Sequence, residues 1–64
     1  MLLNDVTIRT ILHEKRMSQV ELAEITGLGR STVSAVCNGK SCSGDSALAI
    51  AEALKLPLDS LIKK

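Results

Sequence analysis

The chain has 64 residues, a formal net charge of +1, and no Phe, Tyr or Trp. A chain of this length forms one domain and buries only about 60% of its unfolded surface, so the core must be built efficiently from aliphatic side chains. The lack of aromatic residues excludes stacking platforms for single-stranded nucleic acid and sheet readers of the RNP type. We therefore expect a single domain over residues 1–64.

The acidic residues are unevenly distributed, although the net charge is small. Four lie in residues 1–24, three lie in residues 45–64, and none lies between Ile25 and Gly44. Arg30 and Lys40 fall inside this acid-free segment. A locally positive surface favours a polyanion, since acidic side chains would repel it. The alternative is an ordinary polar surface that happens to lack acids.

Residues that could hold a metal or carry catalysis are few. Cys37 and Cys42 cannot make a disulfide framework, and His13 does not complete a zinc ligand set with them. We expect free thiols in a reducing cytoplasm, with Cys37 in the core and Cys42 exposed. Neither paired carboxylates nor a nucleophile–base set is present, so we expect no enzyme, no cofactor and no small-molecule ligand. No apolar run approaches the 18 or so residues of a membrane span, and no signal peptide is apparent.

Helical patterns fill the first half of the chain. A first helix is predicted from Asn4 or Asp5 to about Arg16, with an apolar stripe made of Ile8, Ile11 and Leu12. Ser18 is predicted to cap a second helix, with Glu21 completing a capping box. Its apolar positions are Val20, Leu22, Ala23 and Ile25. Gly27 is the natural left-handed residue to end it.

The third and fourth helices differ in composition. The third is predicted from Gly29 or Arg30 to about Cys37, with Val33, Val36 and Cys37 inward and a polar, acid-free opposite side. Its Ser, Thr and Val residues are mediocre helix formers, so it must depend on docking. The fourth is predicted from a cap at Ser43 or Asp45 to Leu54 as the central core helix. After Pro57, a short fifth helix is predicted over 58–62.

Two short helices joined by a turn containing glycine predict a helix-turn-helix, whose second helix enters a DNA major groove. The matching features are Ala23 four residues before Gly27, Leu28 after it, and the inward Val33 and Val36. Helical hairpins that do not bind DNA share much of this spacing, so it is moderately specific.

The chain resembles the Cro/C1-type (Xre) helix-turn-helix family over nearly its whole length. The motifs that carry the resemblance are Ser18-Gln19-x-x-Leu22-Ala23-x-x-x-Gly27, Ser31-Thr32-Val33-Ser34, Asn38-Gly39-Lys40, Ile50-Ala51-x-Ala53-Leu54 and Leu58-Asp59-x-Leu61. The resemblance implies an all-α, compact five-helix, lambda-repressor-like domain. It also implies a DNA-binding transcriptional regulator that reads double-stranded DNA.

The resemblance implies base contacts from the third helix. Arg30 and Ser31 would reach base edges, Ala35 would touch a thymine methyl group, and Ser34 would make a secondary contact. An arginine can bond guanine O6 and N7 together, which is worth about 1–3 kcal/mol of discrimination. Each of these side chains could instead be ordinary helix surface.

Phosphate contacts are implied for four further residues. Gln19 would bind a phosphate and brace the first reading residue, and Asn38 and Lys40 would fix the register on the backbone without reading sequence. Thr32 lies on the flank and would make a secondary contact. A solvated polar role is the alternative for each.

Three departures from the family pattern bear on these expectations. Many members pair an Arg late in the first helix with a Glu late in the third, whereas this chain has Leu12 and Cys37. We expect an apolar contact there, which avoids the cost of burying charges. Gly29 supplies no side-chain cap, and the segment 41–44 lacks basic residues, so non-specific binding should be weak.

The sequence thus predicts a cytoplasmic, bacterial or phage-encoded repressor that binds a palindromic operator as a homodimer. The candidate dimer contacts are Leu58, Leu61 and Ile62, with packing into the monomer core as the equal alternative. The rival function is an antitoxin-type or other protein-interaction module whose main partner is a protein.

Overall fold

The computed structural model describes residues 1–63, and all of their regular elements are helical. The elements are α1 (Asp5–Glu14), α2 (Gln19–Thr26), α3 (Arg30–Cys37), α4 (Gly44–Leu54) and a 3₁₀ turn (Leu58–Ser60). The predicted all-α class is therefore confirmed. None of the described helices is long and apolar enough to span a membrane.

The predicted fifth helix is wrong in extent, because the chain makes only one 3₁₀ turn there. Pro57 precedes the turn, and the Leu61 N–H bonds to the Leu58 carbonyl at 2.9 Å instead of continuing an α-helix. Ile62 then pairs with Leu3 in an isolated antiparallel bridge. The end of the chain is therefore drawn to its beginning rather than into a helix.

The N-terminal segment is part of the core, although its sequence suggested only a short lead-in. Leu3 is 1% exposed, and Asn4 donates its N–H to the Leu61 carbonyl at 2.6 Å. The Cys42 N–H in turn donates to the Met1 carbonyl at 2.8 Å. Residues 1–4 therefore tie the loop after α3 to the C-terminal segment.

Three of the helices have an N-cap residue with a short polar side chain. Asn4, Ser18 and Ser43 each accept a bond from a backbone N–H of the first turn, which satisfies a donor that the helix cannot pair itself. At the other end, α1 stops before the predicted Arg16. Arg16 adopts a left-handed φ of 54°, and the Met17 N–H closes the helix by bonding to the Leu12 carbonyl.

The core lies where α2 packs on α3 and α4, and where α1 packs on α3. Its fully or nearly fully buried side chains are Leu3, Ile8, Leu12, Leu22, Ala23, Val33, Val36, Cys37, Ala47, Ile50, Ala51, Leu54 and Leu61. Val20 and Ile25 are exposed, in contrast to Leu22 and Ala23 between them. An eight-residue helix buries one narrow face, and α2 turns that face toward α3 and α4.

Candidate nucleic-acid interface

The turn between α2 and α3 is fixed from both sides. Gly27 has φ +75°, and its N–H bonds to the Ala23 carbonyl at 2.9 Å. The Thr26 hydroxyl donates to the Leu22 carbonyl at 2.8 Å and accepts from the Leu28 N–H at 3.3 Å. These bonds set the direction in which the chain enters α3.

Thr26 was not among the residues predicted to shape the interface, yet its hydroxyl connects the last turn of α2 to Leu28, the first residue after the glycine. The available signal was a threonine directly before a helix-ending glycine, a position where hydroxyls commonly bond back to a carbonyl one turn earlier. Its half-buried position protects those bonds from water. Thr26 therefore positions α3 relative to α2 without itself facing outward.

The inner face of α3 agrees with the sequence prediction. Val33, Val36 and Cys37 are each no more than 1% exposed. Leu12 and Cys37 are both buried in the same core cluster, and α1 packs against α3. Burial raises the pKa of the Cys37 thiol, while Arg9 lowers it and Asp5 raises it further to smaller extents.

The predicted base-contact residues lie at the start and on the outer face of α3. Arg30 and Ser31 are exposed, whereas Ser34 and Ala35 are half-buried. Residues 31, 34 and 35 lie on one side of the helix, because positions three and four apart are neighbours there. This side turns away from Val33 and Val36. Arg30 and Ser31 are therefore the side chains best placed to reach into a groove.

The predicted phosphate-contact residues lie at the ends of α2 and α3. Gln19 is exposed at the first position of α2, and Asn38 and Lys40 are exposed after α3. Thr32 is half-buried on the flank of α3. The first three are accessible to a backbone that crosses this face, and Thr32 is less so.

The end of α3 is held in a defined geometry. Gly39 has φ +85° and donates to the Val36 carbonyl, while the Lys40 N–H bonds to the Ala35 carbonyl at 3.0 Å. This is a Schellman arrangement, which sets the exit direction of the chain. The Asn38 side chain donates from Nδ2 to the Ser34 carbonyl at 2.8 Å. The same nitrogen also lies 3.4 Å from Ser34 Oγ, so the amide is held beside Ser34 by its nitrogen and only its oxygen remains available.

The start of α3 has no side-chain cap, because its N-cap residue is Gly29. A shallow depression lies beside it, lined among others by Val20, Glu24, Leu28 and Arg30. Glu24 comes from α2, so the segment that lacks acids along the sequence has an acid near it in space. A negative charge near a helix N-terminus is favourable for that helix.

The three dimer candidates occupy different environments. Leu61 is 0% exposed and belongs to the core of the monomer. Leu58 and Ile62 are half-buried against that core. Leu61 therefore packs into the monomer core, which was the alternative to a dimer contact. Of the three candidates, Leu58 and Ile62 retain surface that a second chain could contact.

Taken together, α2, the fixed turn and α3 with its polar outer face define a helix-turn-helix DNA-binding domain. A family model described as helix-turn-helix matches residues 8–61. The chain belongs to this Cro/C1-type helix-turn-helix family. No curated protein matches the chain. The family consists of DNA-binding regulatory domains that are not typically enzymatic, so the protein is in general terms a regulator that binds double-stranded DNA.

Proposed function

We propose that the protein is a sequence-specific transcriptional repressor that inserts α3 into the major groove of an operator half-site. One observation carries this proposal. Arg30 and Ser31 are exposed on α3 and Ser34 is half-buried beside them, whereas the inner face buries Val33, Val36 and Cys37. A helix with one face anchored and the other free to form hydrogen bonds suits the reading of base edges.

Arg30 and Ser31 would carry most of the base reading. Both are exposed in the first turn of α3, the part of a recognition helix that enters the groove. Ser34 and Ala35 follow one turn later and are half-buried, so they would meet bases only at close approach. Ala35 offers a methyl group to a thymine methyl, and Ser34 offers a hydroxyl.

Phosphate contacts would set the helix in register. Gln19 is exposed at the first position of α2, where the positive end of the helix dipole favours an anion. Asn38 and Lys40 flank the fixed end of α3, and Thr32 would add a contact from the flank. These contacts hold the protein on DNA without selecting a base.

A single copy covers only a few base pairs, so useful selectivity in a genome calls for two copies on a palindrome about one helical turn apart. We propose a homodimer, at least on DNA, with Leu58 and Ile62 as its contacts. Occupation of such an operator in the cytoplasm of a bacterial cell, by a chromosomal or phage-encoded protein, would block access of polymerase to an overlapping promoter.

The test is selection of binding sites from random duplexes by the wild type, by Arg30→Ala and by the charge-matched control Lys55→Ala. We expect the wild type to enrich one motif with two-fold symmetry. Arg30→Ala should lose preference at one base pair of each half-site, about 1–3 kcal/mol. Lys55 is exposed after α4, so its loss should leave the motif unchanged.

Failure of the wild type to enrich any motif would contradict sequence-specific regulation. It would leave the protein-interaction module as the function to pursue. A motif without two-fold symmetry would contradict the dimer but not the reading by α3. Retention of the full motif by Arg30→Ala would remove Arg30 from the base contacts.

A further inference from the structure

The carboxylate of Asp5 lies at the C-terminal end of α3, although Asp5 belongs to α1. A Cβ placed on Gly39 would lie 3.7 Å from both Cγ and Oδ1 of Asp5. Gly39 separates Asn38 from Lys40, the two residues proposed to hold phosphate. An acidic group is therefore next to the part of the interface where a polyanion would bind.

Arg9 accompanies this carboxylate. Its Nη2 donates to Asp5 Oδ2 at 3.0 Å, and this is the one ion pair within residues 1–63. The Arg9 side chain is 54% exposed and that of Asp5 is 23% exposed. Both charges also influence the pKa of Cys37, the last residue of α3, in opposite directions. Because Arg9 bonds to the Asp5 carboxylate, which lies beside Gly39, the guanidinium is also near the end of this helix.

The two charges act differently on the two helices. Asp5 is in the first turn of α1, where a negative charge complements the helix dipole. It is also beside the C-terminal end of α3, where the dipole is negative and an acid is unfavourable. An exposed ion pair of this kind contributes at most a few tenths of a kcal/mol to stability. Stability alone therefore gives little reason for an acid at this position.

We propose that Asp5 and Arg9 are opposing charges that set the affinity for the DNA backbone at the end of α3. Asp5 weakens the hold of Asn38 and Lys40 on phosphate, and Arg9 offsets that repulsion. The inference rests on the proposed function, since it requires DNA to lie against α3. It adds to the interface two residues that were absent from the sequence-based set.

The experiment measures Kd of the full chain for its selected operator and for a scrambled duplex, at about 0.1 M salt. Asp5→Asn should bind both duplexes about two- to fivefold more tightly, as loss of one like charge at short range predicts. Arg9→Gln should bind both more weakly by a similar factor. The double variant should return to within about twofold of the wild type, because its net charge at this edge is restored.

The effects should be equal on the two duplexes, since phosphate contacts carry no base information. They should also shrink as salt is raised. Glu52→Gln is the matched control. This exposed acid lies in the last two turns of α4 and belongs to neither α2 nor α3, so its loss gives the same change in net charge outside the proposed interface. Its affinity should equal that of the wild type.

Thermal unfolding of each variant separates a structural role from an electrostatic one. If Asp5→Asn lowers the unfolding temperature but binds with the affinity of Glu52→Gln, the pair only braces α1 and the inference is wrong. If Arg9→Gln binds as well as the wild type, the inference is also wrong. A wild type that binds neither duplex would defeat the proposed function together with the inference. A wild type that binds while Asp5→Asn gains nothing would defeat the inference alone.

Discussion

The two helices of the DNA-binding motif have the same length but are stabilised in different ways. Both α2 and α3 have eight residues. The start of α2 is closed by a reciprocal capping box, in which the Glu21 N–H donates to Ser18 Oγ at 3.1 Å and the Ser18 N–H donates to Glu21 Oε1 at 3.4 Å. The start of α3 has Gly29 and no such bond.

Packing replaces local bonds in α3. It buries Val33, Val36 and Cys37, whereas α2 buries only Leu22 and Ala23. Serine, threonine and valine weaken α3 as an isolated helix, because they lose side-chain freedom or compete for backbone bonds. The comparison shows that α3 is held from one side only. The side chains on its other side do not pack into the core, so they are available to contact DNA bases.

The largest effect should come from removing that packing. Val33→Ala deletes two methyl groups at a fully buried position and leaves a cavity, at a cost of about 2 kcal/mol in the free energy of unfolding. Urea unfolding measures it. The matched variant Ser31→Ala changes an exposed residue of the same helix and should cost less than about 0.5 kcal/mol while altering base preference. Equal losses of stability would contradict the division of α3 into two faces.

A smaller effect is expected at the start of α2. Ser18→Ala removes the oxygen that accepts from the Glu21 N–H and should lower the free energy of unfolding by about 1 kcal/mol. Ser41→Ala is the control, since this exposed loop serine caps no helix. If thermal or urea unfolding finds the two variants equally stable, the capping box contributes nothing measurable and α2 also depends on packing.

The smallest of the three substitution effects is a gain at the start of α3. Gly29 has φ −70° and ψ 152°, and a Cβ there would lie 3.9 Å from Ser31 Oγ, an ordinary contact. Gly29→Ser should therefore add a cap and raise stability by a few tenths of a kcal/mol. Gly27→Ser is the opposite case, because φ is +75° and a side chain there costs about 1 kcal/mol. A loss of stability in Gly29→Ser would show that this glycine is required for packing.

Local features of the fold were predictable because short-range chemistry determines them. Ser18 caps α2 and Gly27 ends it as expected, and Ser43 caps α4 as one of the two predicted candidates, since a hydroxyl and a missing Cβ act within one turn. The two faces of α3 were also predictable. Val33, Val36 and Cys37 have the spacing of one buried stripe, which leaves Ser31 and Ser34 on the opposite side, whereas Arg30 is exposed because it begins the helix.

Features that depend on contacts between distant segments were not predictable. Leu3 and Leu61 are buried by pairing between the two ends of the chain, and neither belongs to a periodic pattern that extends to the other. Asp5 reaches Gly39 only because α1 packs on α3. The four apolar positions predicted for α2 do not share one side of the helix, so their spacing could not show that Val20 and Ile25 are exposed. The position of the Asp5 carboxylate beside the end of α3 was missed because it depends on this contact between two helices.

The last prediction uses pH to examine how the inner face of α3 is held. Burial raises the pKa of the Cys37 thiol, so the folded chain favours the neutral form. Its contribution is complete below the ordinary thiol pKa and is lost as pH rises through the higher pKa of the folded state, because the unfolded chain ionises first. At neutral pH no effect is expected. Urea unfolding from neutral to alkaline pH should show a decline in wild type and in Cys42→Ala that is smaller in Cys37→Ala. An equal decline in all three would show that the interior around α3 tolerates a thiolate, contrary to a helix held by apolar packing.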